Sequence, residues 1–107
     1  MNDTNASKLL VPGKLLQLSS YPYIAMFVYQ QPVLDPKVLV GRGQAGLTRG
    51  QTVFMVVATL SGYLRFRHMD SDNPVTWVFV LPMDDDCPPG WVWFGHNYRS
   101  YDVKEVT

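Results

Sequence analysis

Two segments of this chain are apolar on both sides of an extended backbone. In "VFMVVATL", residues 53–60, Val53, Met55 and Val57 alternate with Phe54, Val56 and Ala58. In "WVFVL", residues 77–81, Trp77, Phe79 and Leu81 alternate with Val78 and Val80. Successive side chains of a strand point to opposite faces, so a strand with one wet face reads apolar, polar, apolar. Neither segment does. Both faces need cover, and in larger proteins helices supply the second one. Here eight Gly and eight Pro are spread through 107 residues, which leaves little room for a helical period. The second cover must come from the chain's own loops and arms or from another chain. If two such strands each left about three large side chains open, at roughly 1.5–3 kcal/mol apiece, the loss would rival the 5–15 kcal/mol stability of a small domain.

The rest of the chain reads as strand and turn. Expected strands are 14–19, 23–30, 37–40, 51–59, 62–69, 75–81, 90–94 and 98–103, each rich in β-branched or aromatic residues and bounded by turn formers. "LSG" is expected to turn the fourth strand into the fifth, and "DSDNP" the fifth into the sixth, through side chains that bond their own backbone or fix φ. In "YLRFRHM", Leu64, Phe66 and His68 share one face, and Tyr63, Arg65, Arg67 and Met69 the other. The expectation is a single all-β domain over residues 1–107, with a polar tail at 1–8. It would be a small barrel of about 6–8 short antiparallel strands with an N-terminal arm, "LLVPGKLLQL", lying against the second face.

The stretch "LTRGQTVFMVVATLSGYLRFRH", about a fifth of the chain, resembles the middle of an SH3-like barrel, where a turn ending in glycine feeds a strand that turns back on a glycine. The resemblance implies a shape. Such barrels usually bind through loops or exposed aromatics, and the fold hosts many unrelated activities.

Composition excludes several classes. Nine Lys and Arg balance nine Asp and Glu, which argues against a duplex-binding surface held by many phosphate contacts. Charged residues are 17% against 47% hydrophobic, so an apolar surface is being covered. One cysteine cannot form an internal disulfide, and "MNDTNASKLL" lacks the basic and apolar segments of a secretory signal. "NDT" and "NAS" match the glycosylation acceptor pattern, but without a route to secretion they read as a polar tail. No apolar run approaches the roughly 20 residues of a membrane helix. A cytoplasmic location, or assembly within a particle, fits these features.

The chemistry-bearing residues gather in "DDDCPPGWVWFGHNY", where Asp84 to Asp86 could offer oxygens to Mg²⁺ or Ca²⁺, and Cys87 with His96 could form a thiolate-imidazole pair. A structural zinc site wants four Cys or His ligands, and the whole chain has one Cys and two His. Adjacent residues of an extended chain do not converge on one point, so this is read as a solvated turn followed by an aromatic strand, with no metal and no cofactor. A small hydrolase using Asp84 to Asp86, Cys87 and His96 is the enzymatic alternative. "GRGQAG", Gly41 to Gly46, fits G-x-G-x-x-G, but the "LTRGQTVF" that follows opens no helix, so it reads as a flexible glycine-rich loop. "DSDNPVTWVFVL" begins like a calcium loop, but has Val75 and Leu81 where the turn glycine and final acid belong.

The expected function is a non-enzymatic interaction or assembly module. It would be a subunit of a homo-oligomer or of a multi-protein particle such as a phage or virus structure. Tyr63, Arg65, Arg67, Trp91, Trp93, Tyr98 and Arg99 are the expected contact residues, because Trp, Tyr and Arg dominate interface energetics. The same cations and rings, joined by Arg42 and Arg49, are what single-stranded RNA or DNA needs, which is the alternative binding reading. Trp91 and Trp93 share one strand face and are read as core together, with Val92 and Phe94 looking outward.

Overall fold

A computed structural model describes residues 9–20, 25–48, 51–67, 73–95 and 102–106. Its elements are all strands: β1 Leu15–Ser20, β2 Ala25–Val28, β3 Gln44–Thr48, β4 Phe54–Leu64, β5 Asn73–Pro82, β6 Gly90–Gly95 and β7 Asp102–Glu105. Five form an antiparallel sheet in the order β6-β5-β4-β1-β7, and β2 and β3 form a second antiparallel pair. One bridge ties the two together: Tyr29 N–H donates to the Trp91 carbonyl oxygen and Trp91 N–H donates back to that of Tyr29, both at 2.7 Å. Among the described residues no helix is long and apolar enough to cross a membrane.

All seven strands line one buried cluster. Leu16 and Leu18 come from β1, Met26 and Val28 from β2, Leu47 from β3, and Phe54 and Val56 from β4. Val78 and Val80 come from β5, Val92 and Phe94 from β6, and Val103 from β7. The sheets therefore curl around a common interior, but the hydrogen-bonded ladder of the described residues forms two sheets and not the expected closed barrel.

The opposite face of the large sheet carries a second cluster of Tyr29, Val33, Leu64, Val75 and Trp77, with Trp91 and Trp93 packed against it. The doubly apolar strands are thus used on both sides, as their sequence requires. On β5 Val78 and Val80 point into the main core, while Val75 and Trp77 point the other way. On β4 the switch is made by a bulge: Val56 pairs with Val80 but Ala58 pairs with Phe79, so Val57 is an extra residue. One inserted residue shifts the alternation by one and bends the strand. Phe54 and Val56 consequently serve the main core, and Leu64 the second cluster.

Several expectations are corrected. "LSG" is not a turn, since β4 runs unbroken through Ser61 and Gly62. A Cβ on Gly62 would stand 2.6 Å from Trp77 Cδ1 and closer still to the Val33 carbonyl oxygen, so glycine serves here to admit a neighbouring segment. Residues 37–40 are not a strand. Lys37 N–H donates to Asp35 Oδ1 at 2.9 Å and Val38 N–H to the Asp35 carbonyl oxygen at 3.0 Å, which makes a turn. The second half of "GRGQAG" is strand β3, where Gly46 lies against the Met26 carbonyl as the β2–β3 register shifts. Arg65 and Arg67 lie beyond the end of β4, because Leu64 closes the strand. Val92 and Phe94 are buried, not outward. The N-terminal arm does not cover the second face; Leu10, Leu16 and Leu18 enter the main core.

Candidate interaction surface

Residues paired across neighbouring strands present their side chains on the same face, so the register maps the second face row by row. Met55 pairs with Leu15 on one side and Leu81 on the other, giving a row Leu15–Met55–Leu81. The next row holds Ala58, Phe79 and Trp91, and the one after it Leu60, Trp77 and Trp93. Gly62 and Val75 follow, paired with Gly95. In the other direction Met83 N–H donates to the Val53 carbonyl oxygen at 2.7 Å, which brings Val53 and Met83 side by side. The rows named so far carry no charged side chain, but β7 continues the face beyond β1, where Gln17 pairs with the exposed Lys104.

One half of the face is covered by the chain itself. Tyr29 leaves β2 at the bridge to Trp91 and sets its ring edge-on to Trp77, centroids 5.7 Å apart. The chain then crosses over Gly62, where the Val33 carbonyl oxygen accepts from Tyr63 N–H at 2.8 Å. After the turn at Asp35, Val40 N–H donates to the Arg65 carbonyl oxygen at 2.8 Å, and Arg65 Nη1 donates to that of Pro36 at 3.4 Å. Beneath this segment Trp77 is fully buried, and its Nε1–H donates to the Tyr63 carbonyl oxygen at 3.0 Å. Burial raises the Tyr29 phenol above its ordinary range, opposed in part by a hydrogen bond with Trp93.

The other half is open. Leu15 keeps 38% of its surface exposed, Val57 39% and Met83 55%, and Met55, Phe79 and Leu81 are only half-buried. Phe79 and Trp91 meet edge-on at 5.3 Å and mark the border between the two halves. The crossing segment also shows apolar side chains outward, with Leu34 54%, Val38 50% and Leu39 47% exposed.

No protein family model, no curated protein and no solved structure matches this chain. The reading of this surface therefore stands on its own geometry.

Of the seven expected contact residues, Tyr63, Trp91 and Trp93 pack against the second cluster, and Arg65 and Arg67 follow the end of β4. Trp91 and Trp93 are half-buried beside Tyr29 and Trp77, while Val92 and Phe94 on the other face of β6 are the fully buried pair. Tyr63 is half-buried at the end of β4, Arg65 is tied to Pro36, and Arg67 is exposed. Tyr98 and Arg99 lie outside the described residues, as do His68 and His96. The acidic turn is as the sequence suggests: Asp84, Asp85 and Asp86 are exposed, and Asp86 N–H donates to Asp84 Oδ1 at 3.0 Å. Cys87 drops into the main core, where burial and then the charge of Asp84 push its thiol above the ordinary value. Among the described residues no three His, Cys, Asp or Glu side chains gather as a metal site.

Sequence reasoning missed the Leu15–Met55–Leu81 row. Its signal lies in the alternation of each strand, but joining the three residues requires knowing that β1 lies beside β4, and no local pattern encodes that neighbourhood.

Proposed function

We propose that this chain is a non-enzymatic protein interaction and assembly module, a subunit of a homo-oligomer or of a multi-protein particle such as a phage or virus structure. The observation that carries the reading is the uncovered half of the second sheet face. A row of Leu, Met and Leu flanked by Val57, Phe79 and Met83, with no charge among them, is the surface that a partner would dehydrate. A likeness to SH3-like folds is supported by seven strands lining one interior, although among the described residues they form two sheets that do not close into a barrel. The packing of Trp91 and Trp93 beneath the chain's own Tyr29 lends the single-strand nucleic-acid reading no support.

Sedimentation of the purified chain across a hundredfold range of concentration tests the proposal. Self-association is expected, and Leu15→Asp, at a side chain already 38% exposed, should abolish it while lowering the unfolding free energy by no more than about 1 kcal/mol. A Leu15→Asp chain that associates as the parent does would defeat the reading.

A further inference from the structure

The edge of β4 that β1 leaves is open for a short stretch, and the register fixes what it offers. Val56 N–H donates to the Lys14 carbonyl oxygen at 2.9 Å, and the Val56 carbonyl oxygen accepts from Gly13 N–H at 2.8 Å, so this residue faces away from β5. Tyr63 does the same further along, its N–H donating to the Val33 carbonyl oxygen at 2.8 Å. From Ala58 to Leu64 the pairing with β5 advances without a shift. In an antiparallel ladder both main-chain groups of a residue point to one side, and the side alternates along the strand. Counting back from Tyr63, the N–H and C=O of Ser61 and of Thr59 face away from β5. The far side of the sheet gives the same phase. Trp91 exchanges its bonds with Tyr29, so Phe79 opposite it turns to Ala58, and Thr59 comes out on the free side. Among the described residues nothing pairs with these main-chain groups of Thr59 and Ser61, and Thr59, Leu60 and Ser61 are exposed.

We propose that this window binds an extended segment of a partner protein as an added strand. The site lies at the sheet edge and does not rest on the reading of the apolar face. Laid antiparallel, one residue opposite Ser61 and one opposite Thr59 each exchange two bonds with β4, and the residue between them sits across from Leu60. That middle side chain extends the row Leu60, Trp77 and Trp93, and its neighbour Leu60 is 41% exposed. The flanking side chains land on the other face, beside the Thr59 and Ser61 hydroxyls. The segment that fits therefore has an apolar residue between two small β-forming polar ones such as threonine. Its length is bounded too. From Val56 to Tyr63 the strand runs about 20 Å, and Gly13 and Val33 hold the two ends, so roughly three to five residues can lie flat before the chain must leave the sheet. Nothing in Phe54–Leu64 guards this edge, since it holds no Lys, Arg, Asp, Glu or Pro, the residues that natural edges use to prevent such addition.

The test titrates the full chain with a capped pentapeptide of alternating threonine and valine, starting and ending in threonine, and follows the backbone amide resonances. The amides of Thr59 and Ser61 should shift saturably, and their hydrogen exchange should slow by about tenfold or more at saturation. N-methylation of the central threonine amide, which faces β4, should weaken binding by about tenfold or more, and N-methylation of a valine amide, which faces solvent, should leave it unchanged. Ser61→Pro, which removes an edge-facing N–H and no bond to β5, should abolish binding, and Leu15→Asp should not alter it. The methylated pair uses the parent chain, so its result stands even where Ser61→Pro fails to fold. No saturable shift up to the solubility limit of the peptide, equal binding of the two methylated peptides, greater loss from the methylated valine, or loss of binding in Leu15→Asp would each overturn the proposal. Self-association that Leu15→Asp abolishes, with no peptide bound at Thr59 and Ser61, defeats the edge site alone. Peptide binding in a chain that never self-associates supports the edge site while the reading of the apolar face fails.

Discussion

Replacing Gly62 by alanine tests the account of how the second face is covered. In an open strand position the change would stabilise by about 0.5–1 kcal/mol, because glycine loses the most backbone freedom on folding. Here the new methyl would stand 2.6 Å from Trp77 Cδ1 and overlap the Val33 carbonyl oxygen. Trp77 is fully buried and held by its Nε1 bond to the Tyr63 carbonyl, so it cannot retreat. Val33 must lift instead, and with it goes the 2.8 Å bond from Tyr63 N–H. Overpacking of this kind costs about 1–3 kcal/mol and a lost hydrogen bond about 1 kcal/mol more. Set against the backbone gain, the expected loss is about 2 kcal/mol. Urea unfolding followed by tryptophan fluorescence should show the midpoint falling by roughly 1–2 M for a slope of about 1–2 kcal/mol/M. A midpoint unchanged or raised would mean that Val33 does not rest on β4 at Gly62, and the division of the face into covered and open halves would fall with it.

Two further outcomes follow from buried and exposed ionisable groups. The Cys87 thiol and the Tyr29 phenol are both raised above their ordinary values of 9.0 and 10.0, chiefly by burial. The unfolded chain therefore releases these protons at lower pH than the folded one, so stability should be insensitive to them at neutral pH and fall as pH rises past the ordinary thiol value. Urea midpoints measured from pH 7 to 11 should show that fall, Cys87→Ala should remove its first part, and a Cys87 that reacts at neutral pH as fast as a free thiol would contradict its burial. The Lys14–Glu105 pair, Nζ to Oε2 at 3.0 Å, joins the start of β1 to β7 with both side chains 39% exposed. Glu105→Gln should cost no more than about 0.5 kcal/mol, vanishing at high salt, and a larger loss would show the pair to be holding the edge of the sheet.

What could be read from the sequence divides along physical lines. Strands that alternate or run apolar on both faces announce themselves, so β1, β5 and β6 fall within a residue or two of expectation, while the expected strands 51–59 and 62–69 prove to be the single β4, and the doubly buried character of 77–81 is carried straight into two clusters. Glycine misled twice, for one reason. At Gly62 and Gly46 it is used for close approach of another backbone, which looks identical in sequence to its use in turns. The apolar run Val38, Leu39, Val40 looked like strand because its side chains suit a pleated surface, yet Pro36 and the Asp35 side chain commit it to a turn that shows two of the three to solvent. Which segment would cover the second face was not legible at all. The N-terminal arm and residues 29–40 are both apolar, and only the long-range contacts of Tyr29 with Trp91 and Val33 with Tyr63 decide between them.

The edge of β4 explains why contact between copies is assigned to the face of the sheet. β1 pairs with β4 at Phe54 and Met55, and Gly13 and Lys14 continue beside it through their bonds with Val56. The 33–40 segment takes up the same edge at Tyr63 and Arg65. Between them residues 57–62 form a short window with no lysine or proline to guard it, the kind of edge onto which another strand adds. A second β4 placed antiparallel around Leu60 would bring its own Val56 opposite Leu64. The gap there is one strand spacing, about 4.8 Å, and it would have to hold both the Val33 segment of one copy and the Gly13 turn of the other. Two backbones cannot share it. The window is thus closed to a second β4 by what flanks it.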